Sequence, residues 1–458
     1  MGGPSMTRLR SIVARTTLGA AIGLVFAVPA NALSLQEAYE AALRNDPVYR
    51  MRIQEREAGK ESRIQGRAGL LPSVSASYTA NRNISDRTQP SRNPITNVTT
   101  LSTDHPRYIS RSSTVQLRQP ILNLDAFVRY RQGKVQDAQS VQALEAGTDE
   151  VGVRVAQAYM DALFAEDQVA LSKVQRDMYQ EQQKVNNRLF DRGEGTRTDM
   201  LETQARYDLA EAQLIEAEDN LKAARETLQG VIGMEPGTLD QLGDNFRPLP
   251  QDIATYEEWE KLALANNNTL ATTRLAVENQ RLEIQRQRAG HAPRVDFLAT
   301  YNKADSESLN QLGIESTNRQ LGVQVNIPIY SGGGISSATR QAAANYGRAQ
   351  AELDARTNEI LVELRRAHSI VESSGRKVEA LVKAVDSAKV LMTATEQSIK
   401  GGVRINLDLL NAQQQLYTSQ RDLAQARYGY LLGVIRLRAA AGNLDSQVIR
   451  EIAAYFRG

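Results

Sequence analysis

Two aspartates stand out by position. Asp199 and Asp408 each follow a helix-breaking glycine by a few residues, Gly193 and Gly195 in one case, Gly401 and Gly402 in the other. An acid in the first turn of a helix is stabilised by the macrodipole or serves as a cap. Arg404 lies just before Asp408 and can pair with either acid where helical hairpins meet. Such groups do electrostatic work, and nothing around them suggests catalysis. His105, His291 and His368 are scattered and lie outside any zinc-binding spacing. Ser331-Gly332-Gly333-Gly334 follows a strand-like segment and opens a helix-like one, where a phosphate loop would lie. It lacks the spacing of the nucleotide-binding motifs and reads as a tight strand-to-helix corner. With no cysteine there is no thiol nucleophile, disulfide or iron–sulfur ligand. A formal charge of +2 gives no reason to expect nucleic acid. These residues describe a function of shape, without cofactor, metal or enzyme activity.

The elements that hold these residues are legible in the punctuation. Proline is absent from Ile121 to Glu235 and from Ile329 to Gly458. An interior proline costs a helix about 3 kcal/mol, so two such tracts rich in Ala, Gln, Glu, Arg and Leu predict long helices. At the N-terminus Arg8, Arg10 and Arg15 precede an apolar run from Leu18 to Val28 that closes on Ala30-Asn31-Ala32. That is a secretory signal peptide, residues 1–32, too short in its apolar core to span a bilayer.

The chain is written twice. Leu43, Asn45, Arg67-Ala68-Gly69, Pro72 and Val74 correspond to Leu264, Asn266, Arg288-Ala289-Gly290, Pro293 and Val295. Further on, Pro120 matches Pro328, Gly193 matches Gly402, and Asp199 matches Asp408. The expected organisation is repeat 1 over 33–235, a Pro- and Gly-rich linker over 236–255, repeat 2 over 256–442 and a tail over 443–458. Each repeat predicts a helix (Leu35 to Ala68; Glu257 to Ala289) and an alternating segment. A polar loop follows (Ile84 to Arg111; Ala304 to Arg319), then a second alternating segment and a helical hairpin.

The alternating segments have the length and period of membrane β-strands, one face apolar and the other small or polar. Four strands cannot close a barrel, and open edges are not tolerated in lipid, so a membrane role requires oligomerisation. A soluble four-stranded sheet against helices fits the same pattern. From Ile360 to Ile399 apolar and small residues recur at coiled-coil spacing, and the segment after Gly402 carries two seams. The helix from Ala126 to Phe190 would measure roughly 100 Å.

The signal peptide, the opening Leu33-Ser-Leu-Gln-Glu-Ala-Tyr-Glu-Ala-Ala-Leu-Arg-Asn-Asp-Pro, the duplication, Asn326-Ile-Pro-Ile-Tyr-Ser-Gly-Gly and Gly402-Val-Arg-Ile-Asn-Leu-Asp-Leu-Leu-Asn-Ala-Gln together resemble TolC-like outer-membrane channel proteins. The resemblance covers essentially the whole chain beyond the signal peptide. It implies an α+β membrane protein, a homotrimer whose four strands per chain build a twelve-stranded barrel continued by a periplasmic helical tunnel. It also implies a gate at the helical tips. Asp408 matches a ring aspartate, Arg404 the linking arginine, and Thr198 and Asp199 its partners. Asn411 stands where a second ring aspartate can occur and Ile399 where a linking tyrosine can occur. One ring of three carboxylates would bind divalent cations more weakly than two.

By this resemblance the protein is expected to be the outer-membrane exit duct of a tripartite export system. It would dock with a periplasmic adaptor and an inner-membrane ABC or RND transporter. The opening motif favours type I protein secretion over the alternative, a multidrug efflux pump. A soluble periplasmic coiled-coil scaffold is the rival of a different class.

Overall fold

The computed structural model describes residues 32–105, 107–243, 246–248, 255–308, 311–401 and 403–457. Most of the signal segment and Gly402 lie outside these residues. The first repeat contains α1 (Leu35–Asn45), α2 (Pro47–Ala68), β1 (Ser73–Ile84), β2 (Arg87–Arg92), β3 (Thr99–Asp104) and β4 (Arg107–Leu122). It ends in the hairpin of α3 (Leu124–Asp191) and α4 (Arg197–Ile232). After a short β5 (Gln241–Leu242) the pattern returns as α5 (Tyr256–Asn266), α6 (Asn268–Arg288), β6 (Arg294–Ser308) and β7 (Gln311–Asn326). The hairpin of α7 (Gly334–Lys400) and α8 (Asn406–Ala440), then α9 (Ser446–Ala453) and β8 (Phe456–Arg457), complete the chain.

The two halves begin with the same local chemistry. Ser34 and Glu37 form a capping box on α1, and Thr255 and Glu258 form its counterpart on α5. The single opening helix expected in each half is in fact two. Asp46 accepts from the Tyr49 amide and Pro47 occupies the first turn of α2, so the chain must leave the helix before restarting. In the second half Asn267, extended at φ −63° and ψ 117°, does the same without proline by accepting from the Leu270 amide.

β1, β4, β6 and β7 form one antiparallel sheet in the order β1-β4-β6-β7, leaving β1 and β7 as its edges. Register puts Val74 opposite Leu117, Leu117 opposite Ala299 and Ala299 opposite Leu321 on one face. On the other face Gln116 sits opposite Thr300 and Thr300 opposite Gln320. The Asn302 amide ties the polar face together, donating to Ser112 at 3.0 Å and Thr114 at 2.8 Å. The apolar face is bare within one chain, with Val74 67% and Leu321 79% exposed. The polar loops expected at 84–111 and 304–319 are largely strand. β2 and β3 pair as a separate hairpin in the first, and β6 and β7 run on through the second. Alternation in Ser, Thr, Asn and charged residues extends a strand beyond its apolar rungs, which hydropathy alone does not reveal.

At 68 residues α3 is about 100 Å long. α2 lies against its upper half almost backbone to backbone. A Cβ on Gly133 would meet the Ser62 carbonyl oxygen at 2.4 Å, and one on Gly66 would meet that of Arg129 at 2.7 Å. The main core lies at mid-height, where α1, α3, α4, α7 and α8 bury Leu35, Tyr159, Leu163, Leu228, Leu364 and Leu431. The linker and tail belong to this core: Phe246, Val448, Ile449 and Phe456 are buried in it, and β5 pairs with β8. Among the described residues no helix is long and apolar enough to cross a membrane.

Candidate functional site: the helical tips and the seam above them

Both hairpins turn at their far ends from the sheet. In the first, Gly193 takes φ +75°, a conformation that costs other residues roughly 1–2 kcal/mol. The amides of Glu194 and Gly195 close the turn on the Leu189 carbonyl at 2.9 and 3.1 Å. In the second, Gly401 ends α7 in a right-handed conformation and the Val403 amide reaches the Ser398 carbonyl at 3.0 Å.

Above the first turn Thr196 caps α4. Its hydroxyl accepts from the Asp199 amide at 3.1 Å and donates to the Asp199 carboxylate at 2.6 Å. Thr198 is exposed beside it. Above the second turn Arg404 Nη1 lies 3.9 Å from Asp408 Oδ2, with side chains 49% and 38% exposed. A pair so open contributes at most about 0.5 kcal/mol, so it holds the guanidinium only loosely. Within one chain Arg404 therefore meets Asp408 and not Asp199 or Thr198. Asn411, three residues on, accepts from Arg206 of α4 at 3.3 Å, a residue that spacing alone does not single out.

The larger feature that sequence reasoning missed is a polar seam between α3 and α8. Ser172, Gln175, Tyr179, Gln182 and Asn186 recur on α3 at alternating spacings of three and four, which are the core positions of a coiled coil. Ser172 Oγ lies 3.1 Å from the Tyr417 hydroxyl, and Gln175 donates to Gln414 at 2.8 Å. The Tyr179 hydroxyl donates to the same Gln414 oxygen at 3.4 Å, and Gln182 donates to Asn406 at 2.8 Å. Asn406 and Asn186 both donate to Thr203 of α4, at 3.2 and 2.7 Å. Higher up, the Tyr428 hydroxyl donates to Asp167 at 2.8 Å. Burial pushes the Asp167 carboxyl above its usual range, while Tyr428 and Arg427 pull it back.

The neighbouring α7–α8 contact is of the opposite kind. Val378, Val385, Leu423 and Ala426 form an apolar cluster with Leu381 and Leu416 packed against it. Water can replace hydrogen bonds that contribute about 1 kcal/mol each, whereas an apolar seam has no substitute partner. Below the main core the α7–α8 contact is therefore the more apolar of the two, while α8 meets α3 through the polar seam and one small apolar cluster of Leu410 with Tyr179 and Ala210.

Long helices that hang from an amphipathic sheet with two open edges, and end in polar tips, define a subunit of a membrane channel with a helical tunnel. The chain belongs to the outer membrane efflux protein family, which matches residues 38–234 and 259–443. It is 41% identical to the alkaline protease secretion protein AprF of Pseudomonas aeruginosa, over 96% of this chain and 91% of the relative. It is 39% identical to the proteases secretion protein PrtF of Dickeya chrysanthemi, over 93% and 92%. The outer membrane protein TolC of Escherichia coli is 26% identical over 92% and 85%. Among solved structures, the Campylobacter jejuni CmeC outer membrane channel superposes with a TM-score of 0.76 at 16% identity, covering 98% of each chain. The outer membrane protein VceC of Vibrio cholerae superposes at 0.74 and 16%, over 89% of this chain and 96% of that one. The protein is thus a TolC-like channel of the bacterial outer membrane, its helices extending into the periplasm.

Proposed function

We propose that three copies of this chain close one barrel and form the passive exit duct of a type I protein secretion system. The observation that carries the reading is the sheet, with four strands, one bare apolar face and two unpaired edges. Lipid covers the face, and edge-to-edge pairing of β1 with β7 of a neighbour satisfies the backbone. The duct does no chemistry of its own. An inner-membrane ABC transporter supplies the energy, and a periplasmic adaptor joins it to the helical tips. Similarity to two protease secretion proteins supports protein cargo, while the efflux label of the family and the TolC relatives support drug efflux with an RND transporter as the second reading.

The gate consists of Asp408 and Asn411 facing the axis, with Arg404 of one protomer reaching Thr198 and Asp199 of the next. Its weak tie to Asp408 leaves Arg404 free for that link. Gly193, Gly195 and Gly401 shape the tips that the adaptor meets, and Gly402, outside the described residues, follows Gly401 in sequence. Opening swings the α7–α8 hairpin away from α3 along the polar seam. The two repeats, 33–235 and 256–442, supply one hairpin each. Deleting the gene and assaying secreted protease beside drug sensitivity tests the cargo. Loss of secretion with unchanged sensitivity is expected, and the reverse would establish the efflux reading.

A further inference from the structure

The outward face of the sheet carries four cations in a regular arrangement. Arg319 of β7 lies opposite Tyr301 of β6, and Lys303 of β6 lies opposite Ser113 of β4. Arg111 of β4 lies opposite Ala80 of β1, and Arg82 comes two residues further along β1. Each cation is therefore displaced by one same-face step, two residues, from the cation on the adjacent strand. All four side chains are exposed.

Barrel strands tilt by about 35–45°, so points of equal height on neighbouring strands are offset along the strands. Same-face positions come in steps of two residues, and one step per strand is the nearest available match to such a tilt. The lower ends of β1 and β4 run the same way, because Ser73 at the start of β1 faces Arg118 while β4 continues to Leu122; β4, β6 and β7 end nearly flush. With that offset cations on neighbouring strands lie within roughly 2–3 Å of one height. Immediately below them lie Leu321, Tyr301, Ser113 and Ala80, and below those Val323, Ala299, Val115 and Tyr78. Two further rows include Val325, Phe297, Leu117 and Val74. The apolar band is roughly 20 Å tall, close to that of a membrane barrel. The cations stand near its upper end, away from the helices, with the exposed Ile84 and Ile109 one same-face step above them on β1 and β4. Asp305 and Glu315 lie just above. Arg111 approaches Asp305 at 3.8 Å and Lys303 contacts Glu315, so the four cations outnumber these two acids, and Arg107 lies on the same face of β4 above Arg111.

We infer that Arg82, Arg111, Lys303 and Arg319 form a continuous belt around the barrel that binds the phosphate groups of outer-leaflet lipid headgroups. The inference rests on the closed-barrel reading above. Guanidinium and ammonium groups at the edge of an apolar band meet phosphate in the geometry they favour. Their exposed ion pairs to Asp305 and Glu315 are weak enough to be exchanged or shared. Tyr301 and Tyr78 beneath them match the aromatic girdle of such barrels. Arg319 already lies over the Tyr301 ring, 5.8 Å from its centroid.

The test uses the purified full-length trimer in zwitterionic micelles, with lipid binding followed by native mass spectrometry. The probes are bisphosphorylated lipid A, the same lipid without its phosphates, and inorganic phosphate. Phosphorylated lipid should bind wild type far better than its phosphate-free form, and millimolar inorganic phosphate should not displace it. Each neutralised cation should weaken binding roughly fivefold, so that R82Q/R111Q/K303Q/R319Q nearly abolishes the preference. If that variant fails to assemble, R82Q/R111Q and K303Q/R319Q should each lose roughly 25-fold, while R82K/R111K/R319K retains binding. Equal binding by wild type and variants, equal binding of phosphate-free lipid, or full displacement by inorganic phosphate would overturn the belt. Failure of wild type to form trimers would instead count against the barrel.

Discussion

The Asn406 side chain donates to the Thr203 hydroxyl across 3.2 Å, joining the first turn of α8 to α4 just above the hairpin tips. The same hydroxyl accepts from Asn186 at 2.7 Å and donates to the Asp199 carbonyl at 2.8 Å, and Thr203 is fully buried. One hydroxyl therefore holds three helices in register. Thr203→Val keeps the shape and leaves two amides without their acceptor, at a cost of about 1–3 kcal/mol for each. Single-channel conductance in planar bilayers should rise several-fold as the tips loosen. Unchanged conductance would show that the seam does not hold the gate shut.

The proposed gate gives the neighbours Arg404 and Asp408 different roles. Arg404→Ala would remove the proposed link to the adjacent protomer and should raise conductance. Asp408→Asn would remove the proposed carboxylate ring and should abolish block by divalent cations while leaving basal conductance nearly unchanged. Cation titration of both variants in bilayers separates the two roles. Identical behaviour of the two would mean that they serve only as a local helix pair.

Asn411 faces Arg206 at 3.3 Å, so a carboxylate introduced there has a cation waiting. Asn411→Asp should fold normally and add a second ring of three charges, strengthening divalent block about tenfold or more, since calcium affinity follows ligand charge count. With Arg206→Ala added, block should strengthen again. Absence of any change in block would place position 411 away from the pore axis.

Burial raises the Asp149 carboxyl from 3.8 to about 6, opposed by the Asn268 amide that donates to it and reinforced by Glu145. A raised carboxylate pKa means that the folded state holds the proton more tightly than the unfolded chain. The folded state therefore loses stability as pH rises from about 4 to 6, and the loss is complete above 6. Asp149→Asn should raise the thermal midpoint at pH 7.5 and leave it nearly unchanged at pH 4, measured by scanning calorimetry. An equal shift at both values would assign the effect to packing.

The sheet and the hairpins were legible because both depend on periodicity that survives in composition. Alternation marked Val74 to Ala80 and Val295 to Tyr301, and the absence of proline marked the long helices. The breaks at Asp46 and Asn267 were not legible, since an Asp or Asn cap inside a helical pattern reads as one more polar residue and Pro47 is tolerated in the first turn of a helix. The polar extensions of the strands were hidden for a related reason. Residues such as Asn302 and Ser112 pair within a water-facing surface and leave no hydrophobic trace. At the tips, the glycines and acids were visible as punctuation. The α3 seam was not, because coiled-coil reading searches for apolar residues at the positions that Gln175, Gln182 and Asn186 occupy.

Threefold closure underlies the barrel, the gate and the lipid belt alike. It is tested most directly by electron cryomicroscopy of the full-length protein extracted from outer membranes with detergent. Threefold particles are expected, with one continuous barrel carrying three copies of the β1-β4-β6-β7 sheet above a helical tube about 100 Å long. Single chains, an open sheet, or release from the membrane by salt without detergent would contradict the channel assembly.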